Sequence, residues 1–544
     1  MEKHIDQKKE SPMHKIDIQT YRESIKGTIL EKAFEIVTEI SAHMKSRGGN
    51  ALLVGGSVRD MYFGKISKDY DLEVYGVDYS EINKLIHEYY PSLEIKEGIG
   101  VSFGITKVFI KDDTNEKIDI DFSVPRRDSK ISEGHKGFDV QFDKNMSIKD
   151  AARRRDFTFN TLAMDPTTGE VFDYYNGVDD IQNKILRVTD KDLFRDDPLR
   201  VARGMQFVGR FGLVIDQESK EIIKETATRI HEVSKDRFYD EFEKLLLKSE
   251  KPSLGLVAAL ELGIFEQFFP HFLAMKNTPQ EQEWHPEGDV WTHTLMVVDE
   301  AAKLIREHSC TEEQKIIIML SALLHDIGKP ETTYVSDKNQ IVSPGHEKAG
   351  EIKAREFLKK INAPIKITEK VVKLVTNHMM PGSLYRSAEK GYPITENTVR
   401  RLAKRLSPAT IEELILVSNA DSFGRGGIED KSIYKPGEWL IDIAKKIGAE
   451  KKPPDMLISG KDLRELGFPQ GEIIGKIRLL TERIRGLKET LKKEDSHVSI
   501  ETLREDILHM LSGIENTEDA LEILRNDALE TIKEIRIARK SKVD

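Results

Sequence analysis

The hydrophobic period of this chain changes partway along, and that change restricts the fold more than any other feature. Up to about residue 165, short apolar stretches run unbroken or alternate: Ala51 to Val54, halted by Gly55-Gly56, then Leu72 and Val74, then Ile118, Ile120 and Phe122. A two-residue period lines one face of a strand. Ahead of them, after a polar leader of about seventeen residues, Leu30, Ala33, Val37, Ile40 and Met44 recur every three or four positions and predict an amphipathic helix ending near Gly48-Gly49. From Asp192 the spacing becomes helical, in Leu199-Ala202-Phe207, Phe242-Leu245-Leu246 and Leu254 to Glu261. Thr278-Pro279, His285-Pro286 and Gly288 interrupt it, and helical segments with widely separated histidines then run from Val290 to about Ile447. The simplest way to gather those histidines is one small bundle. After Lys451-Lys452-Pro453-Pro454, helical spacing returns in Leu503, Ile507 and Leu511 and from Leu521 to Ile535.

The expected fold class is therefore multidomain α+β: a head with a small mixed sheet and helices, then a helical neck, a helical bundle domain and a helical tail. The 544 residues suffice for roughly three or four domains. A net charge of -10 excludes a uniformly basic coat but permits a local basic groove, and residues 451–490 reverse the sign with nine basic against six acidic residues. The one cysteine, Cys310, excludes an intrachain disulfide, a cysteine-ligated zinc and a CxxC redox centre, so metal chemistry here has to use His, Asp and Glu. The apolar run Ile316 to Leu324 is broken at Ser321 and ends at His325-Asp326, too short for a membrane span, and the start lacks a secretory pattern. A reducing, cytoplasmic setting is expected.

Two groups of residues carry chemistry. Asp69 and Asp71, two apart on a strand, put both carboxylates on one face, as do Asp119 and Asp121. Like charges held side by side repel unless divalent cations sit between them and phosphate oxygens, and three such carboxylates suit two-metal nucleotidyl transfer. Gly55-Gly56-Ser57-Val58-Arg59-Asp60 lies just upstream, where glycines can approach a triphosphate and Arg59 can either neutralise it or hold Asp60. The second group is the ordered series His293, His325-Asp326, His346, His378 and Asp421, a nitrogen and oxygen donor set for a divalent metal. Lys329 is placed either to bind a substrate phosphate or to make a surface salt bridge.

The first group resembles the bacterial CCA-adding enzymes and their poly(A) polymerase relatives. The resemblance rests on Gly55 to Asp60, Asp69-Tyr70-Asp71, Arg154 to Asn160, Asp196 to Arg203 and Ser234 to Glu241, in that order, and spans roughly residues 50 to 480. It implies Asp69 and Asp71 as catalytic metal ligands and Asp121 as the third carboxylate. It further implies Gly55, Gly56, Arg59, Arg154, Arg155, Asp156, Arg203 and Arg237 as nucleotide-binding residues, and Asp197 and Arg200 as the pair that reads the base of CTP or ATP. An ordinary i,i+3 salt bridge is the alternative for that pair. Asp196 and Asp236 stand where the family usually or commonly carries Glu, which leaves acceptance of both C and A open.

The second group resembles the HD-type metal phosphohydrolases fused to a subset of these enzymes. That resemblance implies His293, His325, Asp326 and Asp421 as core ligands, with His346 and His378 able to complete a second site, and hydrolysis of phosphate esters, including 2′,3′-cyclic phosphates, by metal-activated water. The implied cofactors are Mg2+ at the first site and Mg, Mn, Fe, Co or Ni at the second, and the implied partner is the 3′ end of tRNA. The domains expected are an N-terminal helical extension (1–49), a catalytic head (50–165), a nucleotide-recognition neck (166–276), an HD domain (277–450), an RNA-contacting or packing tail (451–496) and a helical C-terminal extension (497–544). In the tail, Lys461 and Lys476 are the candidate RNA contacts. An A-only or poly(A) transferase is the nearest alternative, and an RNA-binding protein without catalysis is the alternative of another class.

Overall fold

The structure is a computed structural model that describes residues 14–67, 69–91, 93–96, 105–111, 117–130, 138–453, 457–469, 471–492, 500–514 and 516–540. Most of the polar leader, residues 454–456, 470 and 493–496 of the expected tail, and residues 497–499, 515 and 541–544 of the expected extension lie outside the described residues. The chain divides into two compact units, Met1–Leu273 and Ala274–Asp544.

The first unit is built on an eight-stranded sheet. Its strands, in chain order, are β1 (His14–Lys15), β2 (Asn50–Val54), β3 (Asp69–Tyr75), β4 (Glu94–Lys96), β5 (Ile105–Lys111), β6 (Lys117–Ser123), β9 (Ala163–Met164) and β10 (Glu170–Phe172), with a separate hairpin of β7 (Arg126–Lys130) and β8 (Phe138–Phe142). The spatial order is β1-β10-β9-β2-β3-β6-β5-β4, in which β3 and β6 pair in parallel. One face of the sheet centre is apolar, with Leu53, Leu72, Val74, Ile118, Ile120 and Phe122 buried, and the other face of β3 and β6 carries the acids. The helix Ile29–Ser46 buries Ala33, Phe34, Val37, Ile40 and Met44, which at about 1.5–3 kcal/mol for each larger apolar side chain anchors it firmly. That helix packs on the sheet, and β1 pairs with β10, so residues 14–49 belong to the head layer and are not a separate extension.

The aromatic rings of Phe157, Phe194 and Phe207 interlock edge to face and join the end of the sheet region to the neck helix Leu199–Phe211. The next long helix, Lys235–Lys248, packs against Leu199–Phe211.

The second unit is helical. Helices Val290–Glu307, Glu312–Leu324, His346–Lys360, Ile365–Asn377 and Ile411–Phe423 form the bundle that the histidine spacing predicts. Helix Glu312–Leu324 is buried along most of its length from Ile316 to Leu324. Beyond it, Leu457, Leu463, Phe468, Ile477, Leu503, Leu511 and Leu524 share one apolar cluster. The two stretches expected as tail and extension thus close around one core, with helices Glu472–Lys492 and Thr517–Lys540 side by side. No described helix is long and apolar enough to cross a membrane.

Candidate active sites: a carboxylate cleft and a histidine centre

Strands β3 and β6 meet in a register that sets Asp69 opposite Asp119 and Asp71 opposite Asp121. The paired acids read from the sequence are therefore brought together by one parallel pairing. Lys107 on β5 lies opposite Asp121 and donates from Nζ to its Oδ2 at 2.7 Å. The other oxygen of Asp121 is buried with no hydrogen-bond partner. Asp71 faces the cleft, yet the protein around it strips away hydration; that loss and the repulsion of Asp121 and Asp69 raise its pKa against the pull of Arg155. Crowded carboxylates with an unsatisfied oxygen fit the all-oxygen demand of a divalent cation such as Mg2+.

Gly55 makes the approach to these acids possible. It turns with φ 65° and ψ -117° into the short helix Gly56–Tyr62, a conformation almost restricted to glycine. A Cβ there would stand 2.6 Å from Arg155 Nη1. Ser57 ties this turn to β3 by donating from Oγ to the Asp69 carbonyl at 3.0 Å.

Gly55, Gly56, Asp69, Asp71, Arg155 and Asp156 form one wall of a cleft of about 510 Å3, and Asp197, Arg200, Arg203 and Arg237 from the neck form the other. Arg59 also lines it, but its guanidinium is committed: Nε donates to Asp60 Oδ1 at 2.8 Å and Nη1 to Asn160 Oδ1 at 2.6 Å. Holding Asp60 is thus the role it has here. Asp156 is buried; Arg203 Nε donates to its Oδ2 at 2.6 Å, and its pKa falls to about 2 because these partners outweigh its burial. Asp197 pairs with Arg237 at 3.4 Å. Arg200 does not close the i,i+3 bridge to it as its main engagement: Nη1 and Nη2 donate to the carbonyls of Leu193 at 2.8 Å and Arg154 at 2.7 Å. Arg154 is not on the cleft wall, and its Nη1 donates to the Arg126 carbonyl at 2.7 Å. Asp121 joins through the sheet register and is likewise off the wall.

Several cleft residues escaped the sequence reading. Lys244 and Lys248 follow Arg237 and Glu241, both within the segment quoted from the sequence, on the helix Lys235–Lys248 at spacings that keep one helical face, and all four line the cleft. That spacing was a readable signal. Lys107 carried none, because its pairing with Asp121 is set by a strand partner distant in sequence.

In the second unit, six residues from five helical elements converge. His293 lies in the first turn of Val290–Glu307, His325 and Asp326 close Glu312–Leu324, His346 opens His346–Lys360, His378 caps Ile365–Asn377 and Asp421 sits within Ile411–Phe423. All six are buried. His325, His346 and His378 each set Nδ1 against a carbonyl, of Ala322, Ser343 and Val375, at 2.8, 2.8 and 2.7 Å. His293 Nδ1 meets Glu287 Oε1 at 2.8 Å. Each Nδ1 is thereby assigned the proton, which leaves every Nε2 as a lone pair aimed inward.

Those lone pairs fall into two groups within metal-ligand reach: His293, His325 and Asp421, and Asp326, His346 and His378. Asp326 touches both, with Oδ2 at 3.2 Å from His325 Nε2 and Oδ1 at 3.5 Å from His346 Nε2. Asp326 Oδ1 is buried and has no hydrogen-bond donor. Imidazole nitrogens facing each other at 3.3 and 3.4 Å, beside an unsatisfied carboxylate oxygen, fit divalent cations. The histidines and Lys329 hold Asp326 well below the usual carboxylate range despite its burial. Burial pushes His378 down to about 4.

Lys329 is no surface bridge. Its Nζ is mostly buried and lies 2.7 Å from Asp326 Oδ2 and 2.7 Å from Gln280 Oε1. Gly328 is required next to it, since a Cβ would stand 2.2 Å from the His346 carbonyl. Glu287, to which the sequence reading gave no role, orients His293 and His285 with one oxygen and accepts from Gly426 N at 2.9 Å with the other. Lys461 and Lys476 are exposed and paired to Glu465 and Glu472 one helical turn away, at 3.7 and 3.1 Å.

Family models match three stretches in order: the Poly A polymerase head domain over residues 51–187, the "probable RNA and SrmB-binding site of polymerase A" over 212–276, and the HD domain over 290–426. The chain is 28% identical over 447 residues to the multifunctional CCA protein of Pasteurella multocida, covering 80% of this chain and 96% of that one. It is 30% identical over 433 residues to the multifunctional CCA protein of Xanthomonas campestris pv. campestris, covering 78% and 95%. The chain belongs to the multifunctional CCA protein family. Among solved structures, the fold is similar to that of the Thermotoga maritima CCA-adding enzyme complexed with tRNA, at a TM-score of 0.53 and 17% identity, over 92% of this chain and all of that one. A CCA-adding enzyme complexed with CTP is similar at a TM-score of 0.55 and 18% identity. The family therefore unites a nucleotidyltransferase head with an HD domain in one chain.

Proposed function

We propose that the first unit adds C, C and A to the 3′ end of tRNA from CTP and ATP, in the cytoplasm, with Asp69, Asp71 and Asp121 holding Mg2+. The observation that carries this is the register of β3 and β6, which pairs Asp71 with Asp121 beside a cleft whose far wall is rich in arginine and lysine. Mg2+ held by these carboxylates would supply the Lewis acidity that activates the RNA 3′-hydroxyl and the positive charge that offsets a departing pyrophosphate. The chain's own groups do the rest. Gly55 and Gly56 let the phosphates approach, and Arg155, Lys244 and Lys248 supply positive charge around them. The buried Asp156 fixes Arg203 through their ion pair. Asp197 and Arg200 face the base, and Arg200 reads it after leaving the carbonyls of Leu193 and Arg154. The division into head, neck, HD domain and tail is proposed on the same reading, with the head taking in residues 14–49 and β10, the tail and the extension sharing one core, and Lys461 and Lys476 touching RNA phosphate.

For the second unit we infer a phosphohydrolase of RNA-end phosphate esters, 2′,3′-cyclic phosphates among them. His293, His325, Asp421 and Asp326 would hold one divalent cation, and Asp326, His346 and His378 a second, with Mn, Fe, Co, Ni and Mg as candidates. The cations would activate water and polarise the phosphoryl oxygens. Glu287 keeps His293 in the ligating tautomer, and the three carbonyls do so for the other imidazoles.

The test is addition to tRNAs ending before, within and after CCA, with CTP and ATP supplied separately. Ordered C, C, A addition that then stops is expected. Long A tails, or A alone on every end, would instead select a poly(A) or A-only transferase.

A further inference from the structure

Two cations border the histidine centre, and they differ in what they have left to give. Lys329 is engaged by Asp326 and Gln280 at 2.7 Å each. Arg425 is not so engaged: its Nε is buried without a hydrogen-bond partner, and its nearest carboxylate contact is Nη2 to Asp421 Oδ1 at 3.8 Å, beyond hydrogen-bond length. The side chain is 27% exposed, so beside Asp421 it reaches solvent and is not sealed in the core.

The backbone around Arg425 is fixed closely. A Cβ on Gly424 would meet Val297 at 2.6 Å, and one on Gly426 would meet Glu287 Oε2 at 3.1 Å. Gly426 N also donates to that same Glu287 oxygen at 2.9 Å. The carboxylate that orients His293 thus also clamps the segment carrying Arg425. A guanidinium held beside a metal ligand, with a desolvated N–H left without an acceptor, bears the full cost of that unmet bond until an anion arrives. Planar, always charged and carrying several donors, it matches a phosphoryl group.

We infer that Arg425 is the anion anchor of the HD centre, binding the non-bridging oxygens of a substrate phosphate held against the histidine cluster. This rests on reading that centre as a phosphohydrolase, and it goes further by naming the residue that recognises the phosphoryl group.

The test uses the full-length protein loaded with Co2+, whose visible absorption reports the histidine-ligated ion, and inorganic phosphate as the probe. Phosphate is expected to shift the wild-type spectrum. Arg425→Gln is expected to keep the phosphate-free spectrum and to need about tenfold to a hundredfold more phosphate for the same shift, with Arg425→Lys in between. A wild type indifferent to phosphate, or an Arg425→Gln midpoint equal to wild type, overturns the proposal. If Arg425→Gln loses the cobalt spectrum, Arg425→Lys decides, and a midpoint matching wild type overturns the proposal there too. Hydrolysis of 2′,3′-cyclic nucleotides is measured on the same samples. Arg425-dependent phosphate binding without any turnover sustains the anchor and removes the phosphohydrolase reading.

Discussion

Asp71 concentrates the chemistry of the first unit in a single side chain, because its neighbours across and along the sheet are also acids. Asp71→Asn keeps the shape and removes the charge that a cation needs, so nucleotide addition should fall by at least about 100-fold, an effect comparable to removing a preorganised electrostatic group elsewhere. Single-turnover addition to a tRNA lacking its terminal A measures this, and a smaller loss contradicts the assignment. Asp156 has a pH signature. Its folded pKa of about 2 lies below the ordinary aspartate value of 3.8, so its contribution is present above pH 4 and lost as pH falls through 2. The difference corresponds to about 2 kcal/mol. Denaturant unfolding of the first unit should show Asp156→Asn less stable by about that much at pH 7, with the gap closing between pH 4 and pH 2. A gap independent of pH would mean the carboxylate's charge is not what stabilises.

At the scale of elements, the turn from β2 into helix Gly56–Tyr62 and the loop that carries Glu287 each hold a site in place. Gly55→Ala should destabilise the first unit by about 1–3 kcal/mol, because the φ 65°, ψ -117° turn is strained for any residue with a Cβ. It should also raise the KM for both nucleotides by displacing Arg155. Unfolding and steady-state kinetics check the two effects, and an unchanged KM would detach Arg155 from triphosphate binding. Glu287→Gln should weaken metal binding at the histidine centre by about 10–100-fold, as loss of an orienting partner does, measured by metal competition. The sequence disclosed the elements that bear period: β2, β3, β6, the helix Ile29–Ser46 and the bundle helices. It did not disclose β1, two polar residues whose strand character comes only from pairing with β10. Nor did it disclose Lys107 against Asp121, or the carbonyls behind each imidazole, since long-range pairing and backbone placement leave no mark in local spacing.

The whole molecule consists of two compact units, and each candidate centre is assembled within one of them. The carboxylates, the glycine turn and the arginine wall all lie before residue 273, and the histidine centre lies entirely after it. Ordered ligand types along the chain, acids first and histidines later, made this division readable once a family resemblance supplied their order. What no local pattern could supply was that Asp326 faces both groups of histidine ligands. The two chemistries should therefore be separable, and paired assays of wild type, Asp71→Asn and Asp326→Asn, each following nucleotide addition to tRNA and hydrolysis of a 2′,3′-cyclic nucleotide, measure that most directly. Asp71→Asn should lose addition and keep hydrolysis, while Asp326→Asn should do the reverse. Loss of both activities in either folded variant would contradict two independent centres.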